Sequence, residues 1–454
     1  MNVDVLIAGA GPAGLAAGIE LRRLGVSRVL IVDREAEAGG IPRHSAHTGY
    51  GLRDLHRVMT GPGYARHYVQ AAVRAGAEVR AGTTVTGWPV RPGLPGPAGH
   101  IGPSDPALHA GLPDPAPHAD LPDLAGPDGP PGPARPLSVS LTSASGIETV
   151  TAAAVLLATG CQERPRAARL VPGSRPPGVM TTGELQQRVY LYGQRLPGRA
   201  LIVGAEHVSF SAMVTLAHAG ADVVALVTDQ PRQQSYAAFA LAAAVRWRAP
   251  VWTCTAVHRI AGHDRLEGVE LANLRTGATS FVGCDTLVFT ADWIPDHELA
   301  RLAGAEIDPG TRGPAVDTAL ETSLPLVFAA GNLVHAAETA DIAAAGGRHV
   351  ARQIAAALRG RRPPRVTWIP VTVATPLSWI SPNAIRPGGP RPARGRFLLR
   401  SDAFRRLAWL EVRQGGRVLA TARARLVPGR PVHLDAGWID RADPAAGRVQ
   451  VALR

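Results

Sequence analysis

The apolar pattern changes period several times along this chain of 454 residues. Residues 4–8, Asp-Val-Leu-Ile-Ala, form a run that is apolar after its first residue, as in a strand buried on both faces. Residues 15–24 carry apolar side chains at helical spacing, and 28–32 are a second buried run ending in Asp33. Between the first strand and the helix lies Gly9-Ala-Gly11-Pro-Ala-Gly14. The sequence of strand, turn, helix and strand starts again at 199–203, with the turn at 204–209, a helix at 210–219 and a strand at 222–228. Further strands are expected at 137–141, 149–159 and 286–290, and helices at 64–75, 298–303 and 340–358. After Gly360 come short alternating runs at 366–373, 396–400, 408–414, 417–425 and 449–453, separated by Gly and Pro turns, which predict a small β-rich domain.

The first glycine turn has the G-x-G-x-x-G spacing of a dinucleotide site and stands between a strand and a helix, where that spacing has a mechanical meaning. Gly9 permits the turn, Gly11 lets the backbone approach a pyrophosphate, and Gly14 lets helix and strand pack closely. Pro12 and Ala13 open the helix, whose amino terminus offers free N–H groups and a positive dipole end. Asp33, nineteen residues after Gly14, is placed for a ribose. The second turn is damaged: Glu206 stands where the second glycine belongs and Ser209 where the third does. A carboxylate repels a pyrophosphate and a side chain obstructs it, which argues against NAD(P) there and for a domain kept as scaffold or interface. The expected class is therefore α/β, with two Rossmann-like units and the carboxy-terminal β-rich domain. The boundaries drawn are 1–90, 137–197 and 282–360 for the first unit, 198–281 for the second and 361–454 for the third. Residues 91–136 are 22 Pro or Gly out of 46 with no hydrophobic period, and read as a disordered insertion.

Composition narrows the chemistry. All 48 basic residues are Arg, so no Schiff base forms on a lysine. The net charge of +12 is scattered rather than striped, which speaks against nucleic acid. Cys161, Cys254 and Cys284 are far apart, giving neither a redox CxxC nor a metal site, and sparse cysteine suits a reducing cytoplasm. No apolar run reaches the ~20 residues of a membrane span. His100, His109 and His118 recur every nine residues but read as solvated loop histidines.

The GAGPAG, ATG (158–160) and TSLPLVFAAGN (322–332) segments, in that order, resemble the FAD/NAD(P)-binding oxidoreductases of the glutathione-reductase-like superfamily. Within it, GGIPRH (39–44), the stretch from Glu163 to Gln187 and AAGNLVH (329–335) are similar to the large flavoprotein subunits of hydrogen cyanide synthase, opine oxidase and dye-linked proline dehydrogenase. The resemblance covers roughly residues 1–90 and 137–360. It implies FAD as cofactor, with the pyrophosphate at Gly9, Gly11 and Gly14, ribose at Asp33 beside Arg34, and the ribitol near Asn332. Gly40, Ile41, Arg43, Thr159, Gly160 and Gly331 complete the expected cofactor contacts. The 40–50 segment would pass beside the flavin ring, making Arg43, His44, His47 and Tyr50 candidates for the substrate side; Arg43 and His44 serve equally well as phosphate or backbone ligands. His335 is a candidate base or electrostatic support, with a packing ring as the other reading. Asn332 replaces the Asp usual after this glycine. The implied activity is hydride removal from a small molecule, an amine or amino acid, with electrons leaving to a second subunit or another acceptor. A nicotinamide-fed flavin reductase and a redox-silent scaffold subunit are the alternatives, and self-association through the β-rich domain stays open.

Overall fold

The computed structural model describes residues 1–88, 136–336, 338–361 and 368–454. The Pro/Gly-rich insertion expected at 91–136 therefore lies outside the described residues apart from Pro136. The first sheet is built on the strand Asn2–Ala8, flanked in parallel by Val29–Val32 and Gly146–Leu157. Glu78–Arg80 extends it beyond Val29–Val32, and Val327–Ala329 pairs in parallel with the exit of Gly146–Leu157. On the far side, Leu137–Ser143 and Thr84–Gly87 add antiparallel strands. Val5, Leu6, Ile7, Leu30, Ile31, Leu156 and Leu157 are fully buried, and such burial stabilises by ~1.5–3 kcal/mol per side chain. The described α-helices are α1 (Pro12–Arg23), α2 (Gly61–Arg74), α3 (Thr182–Tyr190), α4 (His207–Ala219), α5 (Ala237–Ala242), α6 (Glu298–Leu302) and α7 (Ala340–Leu358); α1 and α7 cross against each other over this sheet. Their closest point has no room for side chains: a Cβ on Gly347 would lie 2.1 Å from the Ala13 carbonyl oxygen.

The second sheet is wholly parallel, in the order Val179–Thr181, Thr286–Phe289, Gly198–Val203, Ala221–Val227 and Val251–Trp252. Its first two strands lie outside the interval 198–281 drawn from sequence. That boundary cuts through the sheet, because the strand that completes it returns only after a three-stranded antiparallel excursion, Thr255–Gly262, Leu266–Asn273 and Thr279–Gly283. Helix α3 (Thr182–Tyr190) and helix α4 (His207–Ala219) pack together beside the second sheet.

The carboxy-terminal part is β-rich, as the alternating pattern indicates. One sheet runs Ala384–Ile385, Ile369–Val373, Val449–Leu453, Arg405–Gln414, Arg417–Leu426, and a second runs Leu377–Ser381, Arg396–Ser401, Val432–Asp435. Their inner faces share one core around Trp438, Phe397, Leu399, Leu410 and Val412. A buried ion cluster fastens this part to the first domain, with Arg386 reaching Asp317 at 2.5 Å and Glu321 beside it. Asn383 adds hydrogen bonds to the Val316 backbone.

Candidate functional site

The first glycine turn has the geometry its spacing predicts. Gly9 sits at φ +112°, and a Cβ there would meet the Ala158 carbonyl oxygen at 2.3 Å. A Cβ on Gly14 would lie 1.9 Å from the Gly9 oxygen, so neither position accepts a side chain. Gly11 is different: nothing lies within 4 Å of its would-be Cβ, and its φ of −81° is ordinary. Its absence of a side chain keeps open an approach from solvent rather than relieving a clash. Helix α1 begins there with no side-chain cap and no acid in its first turn, leaving a positive amino terminus for an anion. Asp33 accepts the Ala10 N–H at 2.7 Å and the Glu35 N–H at 2.9 Å, one on each oxygen, and keeps lone pairs for a hydroxyl.

The other expected cofactor residues gather around this turn. Gly39 donates to the Ala10 carbonyl at 2.9 Å, and a Cβ on Gly40, at φ +63°, would come 2.9 Å from the Gly11 Cα. Gly331, at φ +72°, leaves 2.7 Å between its would-be Cβ and the Ala13 Cβ. Thr159 donates to the Asp296 carbonyl at 2.7 Å, and Gly160 accepts from the Asp296 N–H. Ile41 is exposed beside buried Pro42, while Arg43 meets Glu37 at 3.2 Å. Two side chains are committed elsewhere: Arg34 pairs with Asp296 at 3.0 Å, and the Asn332 amide bonds the Glu338 backbone in both directions. The amino terminus of α7 is likewise engaged within the protein. Asp341 occupies its first turn, accepts from Thr339 and lies 3.7 Å from Arg53, so that dipole end already faces a carboxylate. An open glycine, an uncapped helix end and a carboxylate with spare acceptor capacity fit an FAD diphosphate and ribose.

The three candidate histidines stand in different surroundings. His44 ends the short turn Ile41–His44, is buried, and carries an unpartnered Nδ1; burial, with the nearby Arg43 charge, lowers its pKa to about 4. His47 is exposed, bonds the Thr48 carbonyl at 2.8 Å and stacks on Tyr50. His335 stacks on Trp379 of the β-rich part, with ring centres 5.7 Å apart, and its Nδ1 is buried without a hydrogen-bond partner. Burial first, then the Arg400 charge, lowers its pKa to about 3, so at neutral pH it is an uncharged ring. Sequence reading passed over the residues that hold it. Arg400 lies over Trp379 and forms a buried ion pair with Glu338 at 3.0 Å, clamping the loop that leads into α7. Alternation marked the strand bearing Arg400, but nothing local marked its target some sixty residues earlier.

The second turn is filled by the protein itself. The Glu206 carboxylate folds back to Thr290 and Ser209, and one of its oxygens would lie 2.8 Å from a Cβ on Gly204. Burial raises its pKa. The backbone N–H groups of Gln234 and Ser235 both bond the Ala205 carbonyl, and Ser235 Oγ meets His207 Nδ1 at 3.0 Å, so residues 234–235 lie across the start of α4. Tyr236 and Phe239 pack at a tilt against the His207 ring. From the β-rich part, Arg430 packs on Tyr236 at 4.1 Å and donates to the Gln234 carbonyl at 2.7 Å, fastening this strap. None of the three cysteines forms a disulfide; Cys254 and Cys284 are buried, and burial pushes the Cys284 thiol up to about 12.

Fold and first turn together define a flavoprotein with two dinucleotide-type domains, of which the first is the FAD-binding one. Residues 2–49 match the FAD binding domain family, and residues 135–347 match the pyridine nucleotide-disulphide oxidoreductase family. The chain is an FAD-binding protein of the FAD/NAD(P)-binding oxidoreductase class and resembles the glutathione-reductase-like superfamily. Among curated relatives, the alpha chain of sarcosine oxidase from Corynebacterium sp. (strain P-1) is 28% identical over 246 residues, which is 54% of this chain and 21% of that one. An opine oxidase subunit from Agrobacterium tumefaciens (strain Ach5) is 29% identical over 233 residues, 50% of this chain and 37% of that one. The chain thus spans well under half the length of the curated relatives it matches. Thioredoxin reductase of T. acidophilum shares the fold, with a TM-score of 0.58 and 19% identity over 78% of this chain and 98% of that one.

Proposed function

We propose that this chain is an FAD-dependent dehydrogenase that takes hydride from a carbon bearing an amine, with electrons entering from the organic substrate and leaving to a partner subunit or another acceptor. The observation that carries the reading is the contrast between the two turns. The first is open at Gly11 and uncapped, while the second is filled by Glu206 and crossed by the 234–235 backbone. A nicotinamide route needs the second turn; an organic donor does not. The two curated relatives support the donor class, being named for sarcosine and opine oxidation, and both are named as subunits, which supports a partner.

When bound, FAD supplies a hydride acceptor at N5. The protein's part is to place and shelter. The α1 amino terminus and Asp33 hold the diphosphate and ribose, and Gly40 and Gly331 allow close backbone approach. His44 and His335 stay uncharged at neutral pH, so each is able to accept a hydrogen bond at Nδ1 without bringing positive charge to the substrate amine. Among the described residues no helix is long and apolar enough to cross a membrane.

The test is dye-coupled turnover of the FAD-loaded protein with secondary amines, amino acids and the matching alcohols. Reduction of the dye by at least one amine, with the alcohols inert, supports the proposal. Turnover with alcohols alone, or with no donor of either kind, refutes it.

A further inference from the structure

A cleft open to solvent lies between the first domain and the β-rich part. One wall is apolar, with Leu320, Val334 and Ile342 facing Leu398 across it. It reaches back to Gly331, the glycine that packs against Ala13 beside the first turn. Its rim carries Arg394, Arg396 and His433, all from the β-rich part.

The charges at this rim are unbalanced. Among the described residues, neither Arg394 nor Arg396 has an ion-pair or hydrogen-bond partner. Asp435, cross-strand from Arg396, has turned to the Gly437 N–H at 2.8 Å. The acids on the facing loop and helix are already engaged, Glu338 by Arg400 at 3.0 Å and Asp341 by Arg53 at 3.7 Å. Burial first, and then the charges of Arg396, Arg394, Arg400 and Arg53, lower the pKa of His433. Uncompensated guanidinium groups lining an apolar cleft suit an anion with an apolar body, and a guanidinium fork matches a carboxylate.

We infer that this cleft binds an aliphatic carboxylate, held at its charged end by Arg394 and Arg396 and along its chain by the Leu320 to Leu398 walls. If the dehydrogenase reading holds, on which this last step rests, the bound molecule is the substrate. Its class is then an amino acid or N-substituted amino acid with an aliphatic skeleton, not a simple amine, and the β-rich part is the element that selects it.

The test is calorimetric binding of pentanoate, and of the isosteric neutral pentanamide, to the FAD-loaded protein. Wild type binds pentanoate at least tenfold more tightly than the amide, and added salt weakens the difference. The double variant Arg394→Gln/Arg396→Gln loses that preference, and both positions are exposed, so the fold is retained. Arg391→Gln, which removes a surface arginine paired with Asp440, leaves it intact. Absence of pentanoate binding, equal affinity for the amide, or unchanged affinity in the double variant overturns the inference. If no amine or amino acid reduces the protein but the arginines still control pentanoate binding, the dehydrogenase reading fails and the carboxylate site stands. Amino-acid turnover that the double variant leaves untouched gives the reverse result.

Discussion

Glu163 offers a prediction whose size follows from its surroundings. It ends the strand Cys161–Glu163, one carboxylate oxygen accepts the Gly183 N–H of α3 at 2.6 Å, and the other is buried without a hydrogen-bond partner. Burial raises its pKa from 4.5 to about 7; the hydrogen bonds from Gly183 and the neighbouring threonines oppose the shift, and the Glu206 charge adds to it. A raised carboxyl pKa means that the folded protein binds the proton more tightly than the unfolded chain. Its contribution to stability is fully present below about pH 4.5 and is lost as pH rises to about 7. At 1.36 kcal/mol per pH unit across that interval, the loss is about 3 kcal/mol. Glu163→Gln keeps an oxygen for Gly183 and removes the titration. The variant should match wild type near pH 4.5 and exceed it by up to about 3 kcal/mol at pH 8, read by urea unfolding at each pH. Parallel pH profiles for the two proteins would refute the argument.

Gly11→Ala should keep the unfolding midpoint, since its Cβ meets no atom, yet lower the flavin content of the purified protein at least tenfold; bound flavin is read from absorbance after gel filtration. Gly14→Ala should instead unfold or barely accumulate, because its Cβ falls 1.9 Å from the Gly9 oxygen, and solubility and circular dichroism report this. Arg386→Ala leaves Asp317 and Glu321 buried without their cation and should cost about 3–5 kcal/mol in chemical denaturation, with Asp317→Asn partly restoring it. Glu206→Gly should not confer NADPH binding by calorimetry, because the Gln234 and Ser235 N–H groups still cross the turn.

How much of this was legible in the sequence depends on how local its cause is. The first turn is set by residues within one strand, one turn and one helix, and Gly9, Gly14 and Asp33 fall where spacing alone put them. Helix Ala340–Leu358 and strand Val449–Leu453 likewise have the bounds their periodicity marks. The interval 198–281 misses two strands of the second sheet because Thr286–Phe289, which pairs with Gly198–Val203, follows it in the chain and Val179–Thr181, which pairs with Thr286–Phe289, precedes it. The antiparallel strands between 255 and 283 mix buried and exposed positions without clean alternation, which hides their period. Glu206 gave a correct warning about the second turn, but the strap across it was invisible: Gln234 and Ser235 act through backbone N–H groups that any residue but proline supplies. His335 was found from its place after Gly331, whereas Trp379 and Arg400, which fix its state, lie in another domain. The Asn332 amide, expected near a cofactor ribitol, is engaged by the Glu338 backbone, a contact no local spacing marks.

The most direct test of the account is an anaerobic titration of the FAD-loaded protein, following the flavin absorbance band as NADH, NADPH and then a series of aliphatic amino acids are added. With the second turn filled and the first open, neither nucleotide should bleach the band within minutes, and at least one amino acid should. Rapid bleaching by a nucleotide would contradict the account at its centre.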